Sequence, residues 1–424
     1  MYSFKRIYRQ IFLLLIILSP CSSLFALGPW FRLPVILLVG LLAVFPYFSL
    51  RQLFNYKIHF DRTFIIITLF LLCSLLSLFL NYQAPKNITN WIPYLWIFIG
   101  NYFFIRYLIR NRVFGIDSSS VINACKKCYF LVGGFIAIDF LLVNITGIQL
   151  RTSLINLDNG TANMDYFFRS DFINTGGVAE EPGIMSLMIN IFFFICLFAN
   201  RGREKSKLVL LYIFHCFILL CLGSTMGIVS FLAAHVLANT NWKFSLLFFI
   251  MAVGIFFILP SSILQSGFFM EMTSKLTLSE DVASSVTRAT LWNTAWETFI
   301  SHPLFGAGPG FGKLLSEDGF MSLGLIILAE LGLVCFLLFG WFIYETYKKA
   351  RVLGRVYHSG ALKMAIICST MHIAVLNEYY HMPYWLLLAL IYCLAYEIAS
   401  NDQVGTLKIT LPEVPPQAGA LLQG

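Results

Sequence analysis

The sequence predicts an all-α polytopic membrane protein of about twelve transmembrane helices, with two large loops on one side of the bilayer. Three observations carry this. Of the 424 residues, 58% are hydrophobic and 16% aromatic, against about 45–50% apolar in soluble domains. Only 12% are charged, where a soluble domain carries about 25%, too few to cover the surface of a chain this long. The apolar residues also gather into runs long enough to approach or cross the roughly 30 Å hydrocarbon layer. A soluble enzyme, a fibrous protein and a disordered chain are thereby excluded.

Taken in order, the apolar runs lie near 11–27, 33–50, 63–80, 91–109, 128–147, 184–199, 208–222, 226–239, 244–260, 319–342, 362–377 and 383–398. The first follows Lys5, Arg6 and Arg9 and is read as a retained helix, because no small-residue cleavage site follows it before the second run. Residues 1–399 form a single transmembrane domain. From Ser400 onward the chain has Pro412, Pro415, Pro416 and Gly419 and lacks a packing pattern, so 400–424 is expected to be a disordered cytoplasmic tail.

Charge sets the expected orientation. With the N-terminus inside, 22 of the 29 basic residues fall in cytoplasmic segments, and Arg32, Lys86, Arg151, Arg169, Lys275, Arg288 and Lys313 are left outside. That bias favours both termini in the cytoplasm. Twelve of the 21 acidic residues fall in the outer loops, so an outer arginine is an exception there. The net charge of +8 does not point to nucleic acid, since the cations sit in short clusters between apolar runs. Most of the ten cysteines lie inside those runs and act as small hydrophobes. Cys125 and Cys128 form a CxxC in what reads as a cytoplasmic loop, without a second pair or a histidine to complete a zinc site. No metal and no cofactor is expected.

Two outer segments, about 148–183 and 261–318, exceed the about 15 residues beyond which connections are usually functional or disordered. In the second, Ser284 and Ser285 are placed to cap a helix from about Val286 that stops before Pro303. Leu291, Ala295 and Phe299, with Trp292 and Trp296, give it an apolar face suited to the membrane interface. Arg288 opens this helix, where free backbone N–H groups and a guanidinium favour phosphate; an interfacial anchor paired with Asp281 or Glu280 is the plainer reading. Arg169 lies in the first loop with Asp171 as a ready salt-bridge partner. The GGVAEEPG stretch turns into the next span, and Glu180 or Glu181 serves there either as proton acceptor or as helix cap.

GAGPGFG, residues 306–312, lacks the preceding strand and the following Lys-Ser of a nucleotide loop. It reads as a tight turn into the next span, in which Gly306, Gly308 and Gly310 allow close backbone approach to a substrate. Asp139 and Glu330 are acids inside spans and so are functional suspects, or else buried hydrogen-bonding groups. His302 and His381 face outside; His215, His235 and His372 read as polar packing.

Three stretches in order, GGVAEEPG, RATLWNTAWETFISHPLFGAGPGFG and FMSLGLIILAELGLVCFLLFG, together resemble the O-antigen polymerase and O-antigen ligase superfamily of bacterial inner-membrane proteins. Arg288, Trp292, Pro303, Gly306, Gly308 and Gly310 stand in that family's order. The resemblance implies a metal-independent glycosyltransferase of the GT-C type, with its active site facing the periplasm, that uses oligosaccharide carried on undecaprenyl diphosphate. It also implies membrane lipids and a chain-length regulator protein as partners. Arg288 and Arg169 match periplasmic arginines that engage the lipid diphosphate, and Trp292 with Gly306, Gly308 and Gly310 would frame the substrate loop. In the ligase branch a His-Asn pair precedes the Glu-Leu-Gly. Here Glu317, Asp318 and Gly319 stand in the approach to Glu330, and no histidine lies between His302 and Glu330. That favours the Wzy-type polymerase branch and leaves the general base open among Asp318, Glu317, Glu181 and Glu180.

Overall fold

The computed structural model describes residues 2–21, 32–53, 61–83, 85–148, 150, 167–169, 172–179, 181–238, 283–316, 319–376 and 380–404. The chain is an all-α polytopic membrane protein. In their described parts the apolar runs named above are mainly helical; 22–27 and 244–260 lie outside the described residues. Among the described residues seven helices are long and apolar enough to cross a membrane, and Leu33–Pro46, Thr225–Ala238 and Ala361–Val375 are shorter apolar helices. Helix is the structure such runs must take, since each turn satisfies its own N–H and C=O groups where no water can.

In chain order the helices are α1 (Tyr2–Leu18), α2 (Leu33–Leu53), α3 (Arg62–Leu80), α4 (Pro85–Arg110), α5 (Ser118–Thr146), α6 (Pro182–Ala199), α7 (Lys205–Leu222) and α8 (Thr225–Ala238). After them come α9 (Ala283–Ser301), α10 (Phe311–Leu315), α11 (Leu323–Ile326), α12 (Gly332–Val356), α13 (Ala361–Val375) and α14 (Met382–Val404). The two strands, β1 (Phe167–Arg169) and β2 (Phe172–Asn174), pair antiparallel with Phe168 opposite Ile173. Two boundaries here differ from the sequence reading. Helix α5 begins at Ser118, capped by the Asp117 carboxylate accepting from the Ser120 N–H at 2.9 Å. Cys125 and Cys128 are therefore buried on a helix rather than held in a loop. Helix α14 runs on to Val404, so the first residues of the expected tail are helical, and 405–424 lie outside the described residues.

Helix α6 is central: 89% of its span is buried, against 33% of α7. Its interior polar groups are paired, as burial in an apolar medium requires. Asn190 Oδ1 accepts from His215 Nε2–H at 2.9 Å, and Asn190 donates through Nδ2 to the Gly227 carbonyl at 3.0 Å. His235 Nε2 meets the Tyr212 hydroxyl at 3.1 Å, and His372 Nδ1 meets Ser230 Oγ at 3.4 Å. These three histidines are polar packing within the bundle.

The two ends of the bundle differ. At one, the start of α3, the end of α4 and the last part of α14 meet where Asp61 accepts from Arg106 and from the Tyr392 hydroxyl. The Arg106 guanidinium lies 3.4 Å from the centre of the Tyr392 ring. Arg201 is held between Phe198 and Tyr357 at 4.3 and 4.4 Å from the ring centres. This is the basic end. At the other, loop-bearing end, the segment after β2 is threaded into the bundle instead of lying on its surface. Asn144 exchanges two 2.9 Å hydrogen bonds with the Ile173 backbone, and Asn174 donates to the carbonyls of Leu220 and Cys221. Thr175 donates to Asp139. Asp139 thus has a partner in this segment, and residues 174–179 are buried.

The Asp61 cluster gives a test of the basic end. Asp61→Ala leaves Arg106, 5% exposed, without its carboxylate. Since Asp61 itself stays 22% exposed, the loss should be about 3 kcal/mol, the low end of the range for breaking a buried pair. Tyr392→Phe should lose about 1 kcal/mol. Thermal denaturation of detergent-purified protein, followed by loss of the monodisperse peak, should rank wild type above Tyr392→Phe and Tyr392→Phe above Asp61→Ala.

Candidate active site

The span that continues from α11 does not run straight into α12. Residues Ile327–Leu331 form a π-helical turn, and at Gly332 the backbone breaks with φ +82° and ψ 177°. A break of this kind frees backbone groups that hydrocarbon cannot satisfy. Here the GAGPGFG turn satisfies them. Ala307 N–H donates to the Ala329 carbonyl at 2.9 Å, Gly308 N–H donates to the Glu330 carbonyl at 2.9 Å, and Leu333 N–H donates to the Pro303 carbonyl at 2.9 Å. The two stretches furthest along the ordered set, glycine turn and Glu-Leu-Gly, are one structural unit.

Gly306 and Gly332 explain themselves by this crossing. Gly306 has φ +67°, and a Cβ there would run into the carbonyl of Glu330; a Cβ on Gly332 would run into the Leu304 carbonyl. Gly310 (φ +76°) leaves no room for a Cβ beside Asn90, and Gly308 (φ +100°) sits against Asn81. The close approach these glycines permit is to the chain's own backbone and asparagines.

Glu330 is 5% exposed, and its carboxylate accepts from Gly310 N–H at 2.6 Å and from Gly312 N–H at 3.0 Å. The second suspect acid is therefore a buried staple for the turn. Three residues that sequence reasoning passed over complete the dock. Ser77 Oγ donates to the Glu330 carbonyl at 3.0 Å, Asn81 Nδ2 to the Gly306 carbonyl at 3.0 Å, and Asn87 Nδ2 to the Pro309 carbonyl at 2.9 Å. The signal was present: Ser77 and Asn81 stand four apart, on one face of the apolar α3 and at its end.

Helix α9 lies across the same unit. Ala295 is fully buried and packs in a small cluster with Phe320, Ile326 and Ala329. The helix begins at Ala283, so Ser284 and Ser285 are inside it, and Arg288 sits in its second turn rather than opening it. The case for an anion at Arg288 thus rests on the side chain, not on free backbone N–H groups, of which a helix leaves only the first four. Residues 288, 292, 295 and 299 share one face by their spacing. Trp296 is 51% exposed and leaves the face assigned to it. On the inward face, Arg288 Nε and Trp292 Nε1 are shielded from solvent and have no hydrogen-bond partner among the described residues. Arg288 also makes no ion pair among them; Glu280 and Asp281 lie outside the described residues. Shielded N–H donors are usually satisfied in a native structure, so two of them one turn apart on one face make that face a candidate for a ligand with acceptor oxygens.

The remaining site candidates are placed as follows. Arg169 ends β1. Glu181 is exposed at the N-cap position of α6 and makes no side-chain capping bond. Glu180, Glu317 and Asp318 lie outside the described residues. The GGVAEEPG stretch connects to the rest through α13: a Cβ on Gly183 would touch Leu376 at 3.3 Å, and Ser322 Oγ donates to the Ala374 carbonyl at 2.6 Å. His302 is exposed, whereas His381 is 5% exposed and stacks beside Tyr380 with ring centres 4.3 Å apart. Among the described residues no group of three His, Cys, Asp or Glu could hold a metal ion.

Residues 208–340 match the family model described as O-Antigen ligase, roughly a third of the chain. The matched segment contains Arg288, Trp292, the three turn glycines and Glu330, and stops short of Arg169, Glu180 and Glu181. No curated protein matches the chain.

Gly306→Ala and Gly134→Ala separate the docked turn from ordinary helix. Gly134 on α5 has open space around its Cα, so alanine there should be neutral or stabilise by up to about 1 kcal/mol. Gly306→Ala combines positive φ with a backbone clash and should lower thermal stability by more than about 2 kcal/mol. Glu330→Ala, which strands two N–H donors, should lose about 2–4 kcal/mol. All three are read by thermal unfolding of the purified protein.

Proposed function

We propose, from the match of residues 208–340 to the family model described as O-Antigen ligase, that the protein belongs to the O-antigen polymerase and ligase superfamily and is a Wzy-type O-antigen polymerase of the GT-C type. It moves a growing glycan from undecaprenyl diphosphate onto a new lipid-linked repeat unit. The reaction takes place at the periplasmic face of the bacterial inner membrane, with both termini in the cytoplasm and without metal. The observation that carries this reading is the pair of shielded, unpartnered donors, Arg288 Nε and Trp292 Nε1, on the inward face of α9.

In the proposed reaction a carboxylate among Asp318, Glu317, Glu181 and Glu180 takes the proton of the acceptor hydroxyl. That oxygen bonds to the anomeric carbon of the donor glycan, and the bond from that carbon to the diphosphate oxygen breaks. The diphosphate leaves with the electron pair, and its growing charge is stabilised by Arg288, by the Trp292 indole N–H and by Arg169. Fixed donors aimed at developing charge are the strongest contribution a protein can make to such a step. Gly306, Gly308 and Gly310 serve the substrate loop indirectly, by letting the turn dock so closely that α9 is fixed over the π turn. Partners of this reading are membrane lipids and a chain-length regulator protein.

The absence of a histidine between His302 and Glu330 favours polymerase over ligase. Deleting the polymerase should leave lipopolysaccharide capped by single repeats, whereas deleting a ligase leaves no O-antigen attached; a normal long-chain ladder would reject both. A transporter reading is disfavoured by the break at Gly332, which is filled by the chain's own glycine turn rather than left to line a substrate path.

Purified protein supplied with lipid-linked repeat units should yield longer glycans without added metal or nucleotide. Arg288→Ala should reduce the rate by about 10²–10³-fold. Arg288→Lys should recover part of it, since lysine keeps charge but loses the planar fork. Trp292→Phe, which removes only the N–H, should reduce it by up to about tenfold. An unchanged rate in Arg288→Ala at normal protein level refutes the diphosphate role.

A further inference from the structure

At the basic end, far along the helices from α9, a cavity of about 440 Å³ opens between α5 and α7, within the about 300–1,000 Å³ of small-molecule sites. Its walls are ordered in the same sense on both helices, which run in parallel from this end. On α5, Lys126 is followed one turn on by Phe130; on α7, Lys207 is followed by Leu210 and Phe214, and Arg203 closes the rim. Phe130 and Phe214 stack with ring centres 6.3 Å apart and planes 22° apart, forming the floor that joins the two helices. Phe130 is 45% and Leu210 67% exposed, a state that suits contact with hydrocarbon and not with water.

The charge on the rim is in surplus. Lys207 pairs with Glu204 at 3.1 Å, through side chains 60% and 71% exposed. Lys126 and Arg203 form no ion pair with any described residue, so three cations face one carboxylate. A site with cations at one depth and an aromatic and aliphatic wall one turn deeper matches a molecule with an anionic head and an apolar tail. We propose that this groove binds an anionic phospholipid, with the phosphodiester between Lys126, Arg203 and Lys207 and an acyl chain laid over Phe130, Leu210 and Phe214. Basic recesses between transmembrane helices are physically suited to such headgroups. The site lies at the opposite end of the bundle from the proposed reaction and does not depend on that reading.

The full chain, purified in detergent, is equilibrated with mixed micelles of equal phosphatidylglycerol and phosphatidylcholine, repurified, and its retained lipid measured by mass spectrometry. Each cation near a headgroup is worth about fivefold, so wild type should retain phosphatidylglycerol at least about fivefold over phosphatidylcholine. The triple variant Lys126→Gln, Arg203→Gln, Lys207→Gln should lose that preference. A control variant with the same loss of charge elsewhere, Lys5→Gln, Arg351→Gln, Arg355→Gln, should keep it. The single substitutions Lys126→Gln and Lys207→Gln carry the same test with smaller losses if the triple variant is poorly produced. No preference in wild type, an undiminished preference in the triple variant, or an equal loss in the control would overturn the proposal.

Discussion

A broken helix inside a membrane protein must find partners for the backbone groups it frees, and this chain finds them in its own glycine turn. The break at Gly332 leaves the carbonyls of Ala329 and Glu330 to be taken by Ala307 and Gly308, and the Leu333 N–H to be taken by Pro303. The Glu330 carboxylate then returns two hydrogen bonds to Gly310 and Gly312. Each side of this contact satisfies groups that the other exposes, so neither conformation is stable alone. Gly306 and Gly332 are glycine because two backbones cross there without space for a Cβ. Removing one hydrogen bond of the set strands a buried group rather than merely weakening a contact.

What lies above follows from that lock. Helix α9 rests on the π turn through Ala295, a small residue that lets the helix approach closely. Its position fixes which face is turned inward, and hence where Arg288 and Trp292 present their donors. From α9 to Glu330 the chain thus links a remote structural feature to the placement of two N–H groups whose own hydrogen-bonding capacity is unspent. The end of the other loop is held by a separate device: Thr175 and Asn174 plug it into the bundle beside Asp139 and the end of α7. The described ends of the two long connections are thereby packed into the core, which is why residues 174–179 and 306–310 are buried although they are loops.

The helical spans were legible because their lengths and apolar content state the thickness they must cross, whereas the starts capped by Asp61 and Asp117 were not read from the sequence. Helix α9 was legible, but its start was not: serines are good caps, yet here the helix begins before them at Ala283. The inward and outward sides of its tryptophans were not legible either, since Trp292 and Trp296 are both one turn from neighbours on the apolar face. The role of Glu330 was hidden for another reason. Its partners lie eighteen and twenty residues earlier, and Ser77 is 253 residues away. Periodicity reports local order, and a contact of that separation leaves only a polar residue in an apolar run as its trace.

The central claim is that the inward donors of α9 hold a lipid-linked diphosphate. Equilibrium binding of undecaprenyl diphosphate to the purified chain tests it most directly, without the chemistry of transfer intervening. Arg288→Gln should weaken that binding by about tenfold or more, the worth of a charge-assisted hydrogen bond to phosphate, while leaving the thermal unfolding midpoint unchanged. Equal affinity in wild type and Arg288→Gln would contradict the account.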